Sequence, residues 1–197
     1  MPENIWTVTT TSFDALRKVA SAIDDTNGDA ATPCSEWNVT QVLQHAIGDQ
    51  LAWAASLGVG SGPSENPFAP SGRLEGSVGD LVKPALAIAD SAWTGVKSDA
   101  DTVSTPLPQG AFPPNIAAAA CALDAAVHAW DIAVALGQPS PLTNQLATDL
   151  LPAVRDVVEP LRQYGAYAEA LPPIPEDDAV AELLRYLGRD AGWSAGR

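Results

Sequence analysis

Apolar residues recur along the chain at intervals of three and four, the spacing that lines up one face of a helix. The first such block runs from about Thr7 to Asp25, with Phe13, Leu16, Val19, Ala20 and Ile23 on the stripe and Asn27-Gly28 as its stop. A second runs from Val39 to Leu57 and carries Val42, Leu43, Ala46, Ile47, Leu51 and Ala54. Asn38 stands just ahead of it, where its side chain can cap the free amides of the first turn. A third spans Val78 to Lys97; Pro84 predicts a late start or a kink there, because proline lacks the amide hydrogen. An alanine-rich fourth helix follows from Ile116 to Leu136, stopped by Gly137-Gln138-Pro139. The fifth covers Leu142 to Tyr164 and contains Pro152 and Pro160, which weaken it. After Leu171-Pro172-Pro173-Ile174-Pro175, a short helix from about Asp177 to Leu187 closes the series.

Between these blocks lie two long connections. Residues 58–76 are rich in Gly, Ser and Pro, and residues 98–114 contain Thr105-Pro106-Leu107-Pro108-Gln109-Gly110 and Pro113-Pro114. No alternating strand pattern and no internal repeat interrupts the helical periodicity. The predicted class is all-α, a single domain over residues 1–197 with four long helices available for a bundle.

The fourth helix has the length to span a bilayer. Asp124, His128 and Asp131 lie inside it, however, and each charge near a bilayer centre costs about 3 kcal/mol on insertion scales. Alanine offers little transfer energy to offset that, so a buried core helix is expected. With 197 residues, 46% of them hydrophobic, the chain can fill such a core. Ten Lys and Arg against twenty-four Asp and Glu give a net charge of −14. That surface repels phosphate backbones and anionic lipid, which argues against nucleic-acid and membrane partners. The N-terminus shows no basic stretch leading into an apolar one, so no signal peptide is expected. Cys34 and Cys121 match no CxxC motif. A cytoplasmic protein with reduced thiols follows as the expectation.

Candidate chemistry is sparse. There are two histidines, His45 and His128, both within helical blocks. Asp124 precedes His128 by four residues, so the two side chains project from one face a turn apart. A carboxylate and an imidazole at that spacing can share a metal ion, and a third ligand from a neighbouring helix would leave open positions for substrate. His45, on the second helix's stripe, is placed to face inward. Two readings stay open at this point: hydrogen-bonded core histidines, or metal ligands. Burying Asp124 unpaired would cost several kcal/mol, so a cation, a metal or a hydrogen-bond donor must compensate it. Asp131, three residues beyond His128, could orient that histidine or bond to backbone or an arginine elsewhere. Trp37 and Trp130 read as core. Cys34 has no basic neighbour in sequence, which favours a structural or incidental role. Glu176-Asp177-Asp178 suits the positive end of the last helix. No P-loop, GxGxxG, GxSxG or HExxH motif is present.

Thr32-Pro33-Cys34-Ser35-Glu36-Trp37-Asn38-Val39, followed by Val42-Leu43-Gln44-His45, resembles the second-helix entry of the DinB-like superfamily, and most closely its mycothiol-dependent maleylpyruvate isomerase N-terminal branch. Asp124-Ala125-Ala126-Val127-His128-Ala129-Trp130-Asp131-Ile132-Ala133 and Ala135-Leu136-Gly137-Gln138 resemble the same branch's second signature. Thr105–Gly110 and the tail with Leu184 and Leu187-Gly188-Arg189-Asp190 are similar to a metal-binding subgroup. The resemblance implies a four-helix bundle of up-down-down-up type with long connecting loops and a short C-terminal helix. It implies His45, Asp124 and His128 as ligands of a divalent metal, zinc or nickel, with Asp131 behind them. Glu commonly stands in the family where this chain has Asp124; the shorter arm would draw the helix closer to the ion or leave a bridging water. The chain is expected to lack the extra C-terminal domain of the full isomerase.

The resemblance further implies a low-molecular-weight thiol such as mycothiol as co-substrate, activated for S-transfer or isomerisation of a small electrophile. A metal-binding bundle without thiol chemistry and a metal-assisted hydrolase are the alternatives. Whether the protein is a homodimer stays open.

Overall fold

The computed structural model describes residues 5–195. Its helices are α1 (Ile5–Ala20), α2 (Val39–Ser56), α3 (Val78–Gly95), α4 (Pro114–Ala135), α5 (Asn144–Arg162) and α6 (Ala179–Tyr186). Helix α1 packs against α4 and α3, and α2 against α3 and α4, so α1–α4–α2–α3 forms a closed ring of four. Helix α5 lies outside the ring against α4, and α6 packs on α5.

Helix α4 is apolar on every side because it is covered on every side. One face meets Phe13, Leu16, Val42, Leu86 and Trp93 in the bundle core. The other meets Leu146, Leu150, Val154, Leu183 and Leu187 under α5 and α6. By length and composition it could cross a membrane, yet 89% of its most apolar window is buried within the protein. An all-round hydrophobic helix of this kind is a core helix, as the sequence predicts. Its alanines, with little side chain to hold neighbours off, let the flanking helices approach closely.

The ends of the helices follow local chemistry. Asn38 caps α2 with the reciprocal Gln41 contact of a capping box. Pro114 occupies the first turn of α4, where an amide hydrogen would have no helical partner. Gly137 takes φ +66° just after α4, a backbone state that costs glycine nothing. Asp178 caps α6, so the acidic run is a helix start. Helix α1 ends at Ala20, short of the predicted Asp25. There the Asp24 carboxylate accepts from the Thr26 amide and hydroxyl, and Asn27 accepts from the Asp24 amide. Those local bonds outcompete the helical ones.

Helix α3 begins at Val78, capped by Ser77, and runs through Pro84 without a late start. The prolines within α5 are tolerated as well. In each case the carbonyl four residues back belongs to an exposed residue, Asp80, Thr148 or Asp156, where water can replace the missing amide. One element was not anticipated. Val103–Ser104 and Ala111–Phe112 pair as a two-residue antiparallel hairpin, β1 and β2, too short to show alternation. Gln109 in its loop donates to the Val157 carbonyl of α5 and fastens the connection against that helix.

Candidate functional site

His45 on α2 and Asp124 and His128 on α4 converge in the bundle. Asp124 Oδ1 lies 3.4 Å from His45 Nε2 and 3.4 Å from His128 Nε2. One ligand atom from each of the three falls within 4.8 Å of the others. Both histidines are buried, and their rings meet edge to face at 4.8 Å.

Each imidazole is held from behind. The His45 Nδ1–H donates to the Pro67 carbonyl at 2.9 Å, and the His128 Nδ1–H donates to Asp131 Oδ2 at 2.9 Å. A carbonyl and a carboxylate can only accept, so in each neutral ring the proton sits on Nδ1 and the Nε2 lone pair faces Asp124. Three electron-rich atoms then point at one another, an arrangement that demands positive charge at its centre. A divalent cation would meet that demand, and so would protons; the residues fit the metal the family resemblance implies. Without metal, burial alone would push the His128 imidazole down. The charge of Asp124 and the bonds to Asp124, Asp131 and Cys34 outweigh it and raise the ring well above its ordinary value of 6.5. Burial would likewise raise Asp124, but the charge of His128 and the bonds to both histidines hold it well below the usual carboxylate range.

Asp131 is fully buried and closes a second circle. Arg189, from the tail after α6, grips it with Nε to Oδ1 at 3.0 Å and Nη2 to Oδ2 at 2.9 Å. The Cys34 thiol donates to Asp131 Oδ2 at 3.2 Å, and Arg189 Nη2 stands 3.4 Å from the Cys34 sulfur. Cys34, His128 and Asp131 by themselves could also hold an ion. The Arg189 guanidinium already supplies the positive charge there. Burial would raise the Asp131 carboxyl, and the Arg189 charge more than reverses that. Cys34 thus has a basic neighbour after all, brought from 155 residues away.

A further chain of bonds fixes Asp124. The Cys121 thiol donates to Gln50 Oε1 at 2.9 Å, and Gln50 Nε2 donates to Asp124 Oδ2 at 3.2 Å and to the Cys121 carbonyl at 3.3 Å. Trp93 Nε1 donates to the Cys121 sulfur at 3.2 Å. Rotating the Gln50 amide by half a turn would lose both side-chain bonds, so the network sets its orientation. Asp49, one turn beyond His45, receives the Trp53 Nε1–H at 3.0 Å. Burial first, and then the negative charge of Asp124, push its carboxyl well above the ordinary 3.8.

Of these groups, Cys34, His45, Asp49, Asp124, His128 and Arg189 line a cavity of about 830 Å³. Both long connections contribute to its walls, through Pro63, Pro67 and Phe68 and through Pro106 to Pro108. A third wall is the segment Tyr164 to Tyr167 beyond α5. Trp37, read from sequence as core, is only partly buried; it lines the cavity and packs on His45 with ring centroids 4.7 Å apart. Trp130 is core. Gly48 lets the first loop close down, since a Cβ there would stand 3.0 Å from the Pro67 ring. Of the residues missed in the sequence, Asp49 carried a signal: it follows His45 by four, the same spacing that singled out Asp124 and His128. Gln50 interrupts the apolar run of α2. Arg189 stood in the tail motif Leu187-Gly188-Arg189-Asp190 that carries part of the resemblance, but nothing near it in sequence pointed to Asp131.

The family model of the mycothiol maleylpyruvate isomerase N-terminal domain matches residues 9–133. Two uncharacterized proteins of Mycobacterium tuberculosis are similar: MT0763 of strain CDC 1551 / Oshkosh and Rv0738 of strain ATCC 25618 / H37Rv. Each is 32% identical over 163 residues, 80% of this chain and 82% of its own length. Among solved structures, a mutant of the mycothiol-dependent maleylpyruvate isomerase matches with a TM-score of 0.52 at 17% identity. That match covers 78% of this chain and 66% of the isomerase chain, and at such identity it shows a shared fold.

Proposed function

The chain belongs to the family of the mycothiol maleylpyruvate isomerase N-terminal domain, and from that premise we propose that it is a divalent-metal-dependent enzyme. In this reading it activates a low-molecular-weight thiol of the mycothiol type for S-transfer or isomerisation of a small electrophile. The observation that carries the reading is the triplet His45, Asp124 and His128, held from behind at both imidazoles and opening into a cavity large enough for thiol and electrophile together.

His45, Asp124 and His128 would hold the metal, zinc or nickel by the resemblance. Bound there, a divalent ion supplies Lewis acidity that favours thiolate over thiol at neutral pH. Two neutral imidazoles and one carboxylate would leave the filled site with net charge +1, which suits an anionic sulfur better than a second carboxylate. Pro67 and Asp131 keep both Nε2 lone pairs turned inward, while Gln50 holds the Asp124 carboxylate in place. The carboxyl of Asp49, raised by its surroundings, lines the cavity where it can exchange a proton with a bound group. Trp37, Phe68 and the prolines of the two loops line the cavity beside the triplet.

Elemental analysis of gently purified protein tests the reading, followed by thiol-consumption assays with mycothiol, bacillithiol, glutathione and cysteine. About one zinc or nickel per chain is expected. His45→Ala, His128→Ala and Asp124→Asn should lose it while circular dichroism stays helical, because the apolar stripes fold the bundle. A protein that refuses zinc, nickel and cobalt overturns the reading. Metal without thiol turnover would leave a metal-binding bundle instead.

A further inference from the structure

The chain holds three tyrosines, and the fold places them differently. The Tyr186 hydroxyl donates to the Arg155 carbonyl at 3.1 Å. Tyr164 stands in solvent, 73% exposed. Tyr167 is half-buried: its ring packs on both apolar cores, and it lines the same cavity as His45 and His128. The turn that ends α5 carries it back over the bundle. There the Ala166 amide donates to the Leu161 carbonyl, and Gly165 takes φ +75°, the left-handed state that glycine adopts freely. Two bonds then fasten the segment. The Arg162 guanidinium donates to the Ala168 carbonyl, and the Leu171 amide to the Arg185 carbonyl at 2.9 Å.

The Tyr167 hydroxyl has no hydrogen-bond partner among the described residues, although charged groups of the site act on it from several sides. Burial and the charge of Asp124 push it up, Arg189 and His128 pull it down, and Asp49 raises it again. The balance lies well above the ordinary 10. A phenol so placed keeps its proton and can donate it in a hydrogen bond. Set beside the triplet and bonded to none of its neighbours, this donor is free for whatever occupies the cavity.

We infer that Tyr167 is a catalytic residue: its hydroxyl donates to the carbonyl oxygen of a conjugated electrophile, the atom on which negative charge gathers as the thiolate adds. The thiolate rests on the thiol-dependent reading above; the free donor rests on the cavity alone. In the addition, sulfur bonds to the β-carbon, the C=C electron pair shifts toward the carbonyl, and the oxygen takes the charge of an enolate. The α-carbon then takes up the proton that the thiol gave up, so thiol and enone are consumed one for one. A donor fixed in advance stabilises such an oxygen most where its charge develops. A substitution at saturated carbon sends its charge away with the leaving group and gains nothing from that donor. Tyr167 lies beyond residues 9–133, the stretch that the family model matches.

The test begins with binding, which needs no turnover. The protein as purified is titrated with 4-nitrophenol in mildly alkaline buffer, where the probe is an anion with its oxygen placed as in an enolate. It is titrated in parallel with 4-nitrotoluene, which lacks that oxygen. Trp37 and Trp53 line the cavity and report on both by fluorescence. Tyr167→Phe deletes the hydroxyl and keeps the ring, so Tm and metal content should not change. The variant should bind 4-nitrophenolate roughly tenfold more weakly and 4-nitrotoluene as wild type does. In the kinetic arm, kcat for mycothiol consumption with 2-cyclohexenone should fall roughly 10–100-fold. With benzyl chloride, whose charge departs as chloride, it should hold. A tyrosine of purely structural role would move both electrophiles alike or neither. No saturable binding of 4-nitrophenolate, wild-type affinity for it in the variant, or the same effect on both electrophiles overturns the inference. A protein that shows hydroxyl-dependent phenolate binding but consumes no thiol sinks the thiol reading and leaves the Tyr167 donor standing.

Discussion

Arg189→Met separates the role of the tail arginine in stability from the role of Asp131 at the site. Asp131 is completely buried and takes four donors: Arg189 Nε, Arg189 Nη2, His128 Nδ1 and the Cys34 thiol. Methionine keeps much of the arginine stem's volume but removes two of the four and the guanidinium charge, the largest counter-charge on Asp131. Stripping one partner from a buried ion pair costs about 3–5 kcal/mol. Two surviving donors place this case at the lower end, about 3 kcal/mol by the same principle. For a chain of this size that is a fall in Tm of about 6–12 °C, measurable by calorimetry. Burial raises the Asp131 carboxyl, the Arg189 charge lowers it further, and the net folded value lies below the ordinary 3.8. Its stabilising contribution is therefore complete above about pH 4 and disappears as pH falls through the lower folded value. The gap between wild type and variant should be full at pH 7 and narrow in acid. The double variant Arg189→Met/Asp131→Leu removes both charges of this pair and should recover part of the loss, less the cost, about 1–3 kcal/mol, of leaving the buried His128 Nδ1–H without its acceptor. Its His128 has lost the Nδ1 acceptor, so metal affinity should still fall about 10–100-fold. A single variant costing under 1 kcal/mol (about the worth of an exposed pair), or a double variant no more stable than the single, would refute the reasoning.

Metal affinity should rise with pH: His128, raised above 6.5 by its carboxylate neighbours, must give up a proton to bind. The slope should be about tenfold per pH unit until that proton is gone, read by competition with a chelating dye. Gly48→Ala should gain up to about 1 kcal/mol of helix propensity while pressing on the Pro67 ring at 3.0 Å. The expected outcome is near-wild-type Tm with weakened metal binding, because Pro67 carries the acceptor for His45; unchanged affinity would mean the loop yields freely. Gly188→Ala puts a side chain at φ +81° and 2.9 Å from the Glu169 carbonyl. It should destabilise by about 1–3 kcal/mol and release Arg189, giving a Tm loss and a weakening of metal affinity that follow those of Arg189→Met.

What the sequence could reveal depended on how near the causes lay in the chain. Helix α2 and its Asn38 cap were legible because cap, stripe and Gln41 sit within a few residues, and α4 because an uninterrupted apolar run needs burial on all sides. Asp124 and His128 were legible for the same reason, being one turn apart on one helix. The end of α1 was not, since a cluster of Asp, Thr and Asn side chains drew the backbone into turns that the apolar periodicity alone ignores. The late start that Pro84 allowed for α3 did not occur, and α5 formed around its two prolines: their cost depends on whether the orphaned carbonyl meets water or core, and that is known only once the exposed face is known. Cys34 is the sharper case. Its nearest cation lies 155 residues later, so any judgement from sequence neighbours had to miss it. The tail also explains Asp131, which sequence left between an orienting role and a pairing with arginine. The carboxylate does both, accepting from His128 at one side and Arg189 at the other. Neither role excludes the other, because a buried carboxylate has lone pairs enough for several donors and is stable only when they are filled. The arginine that makes Asp131 tolerable in the core is thus what allows it to hold the His128 tautomer, and the site depends on the far end of the chain.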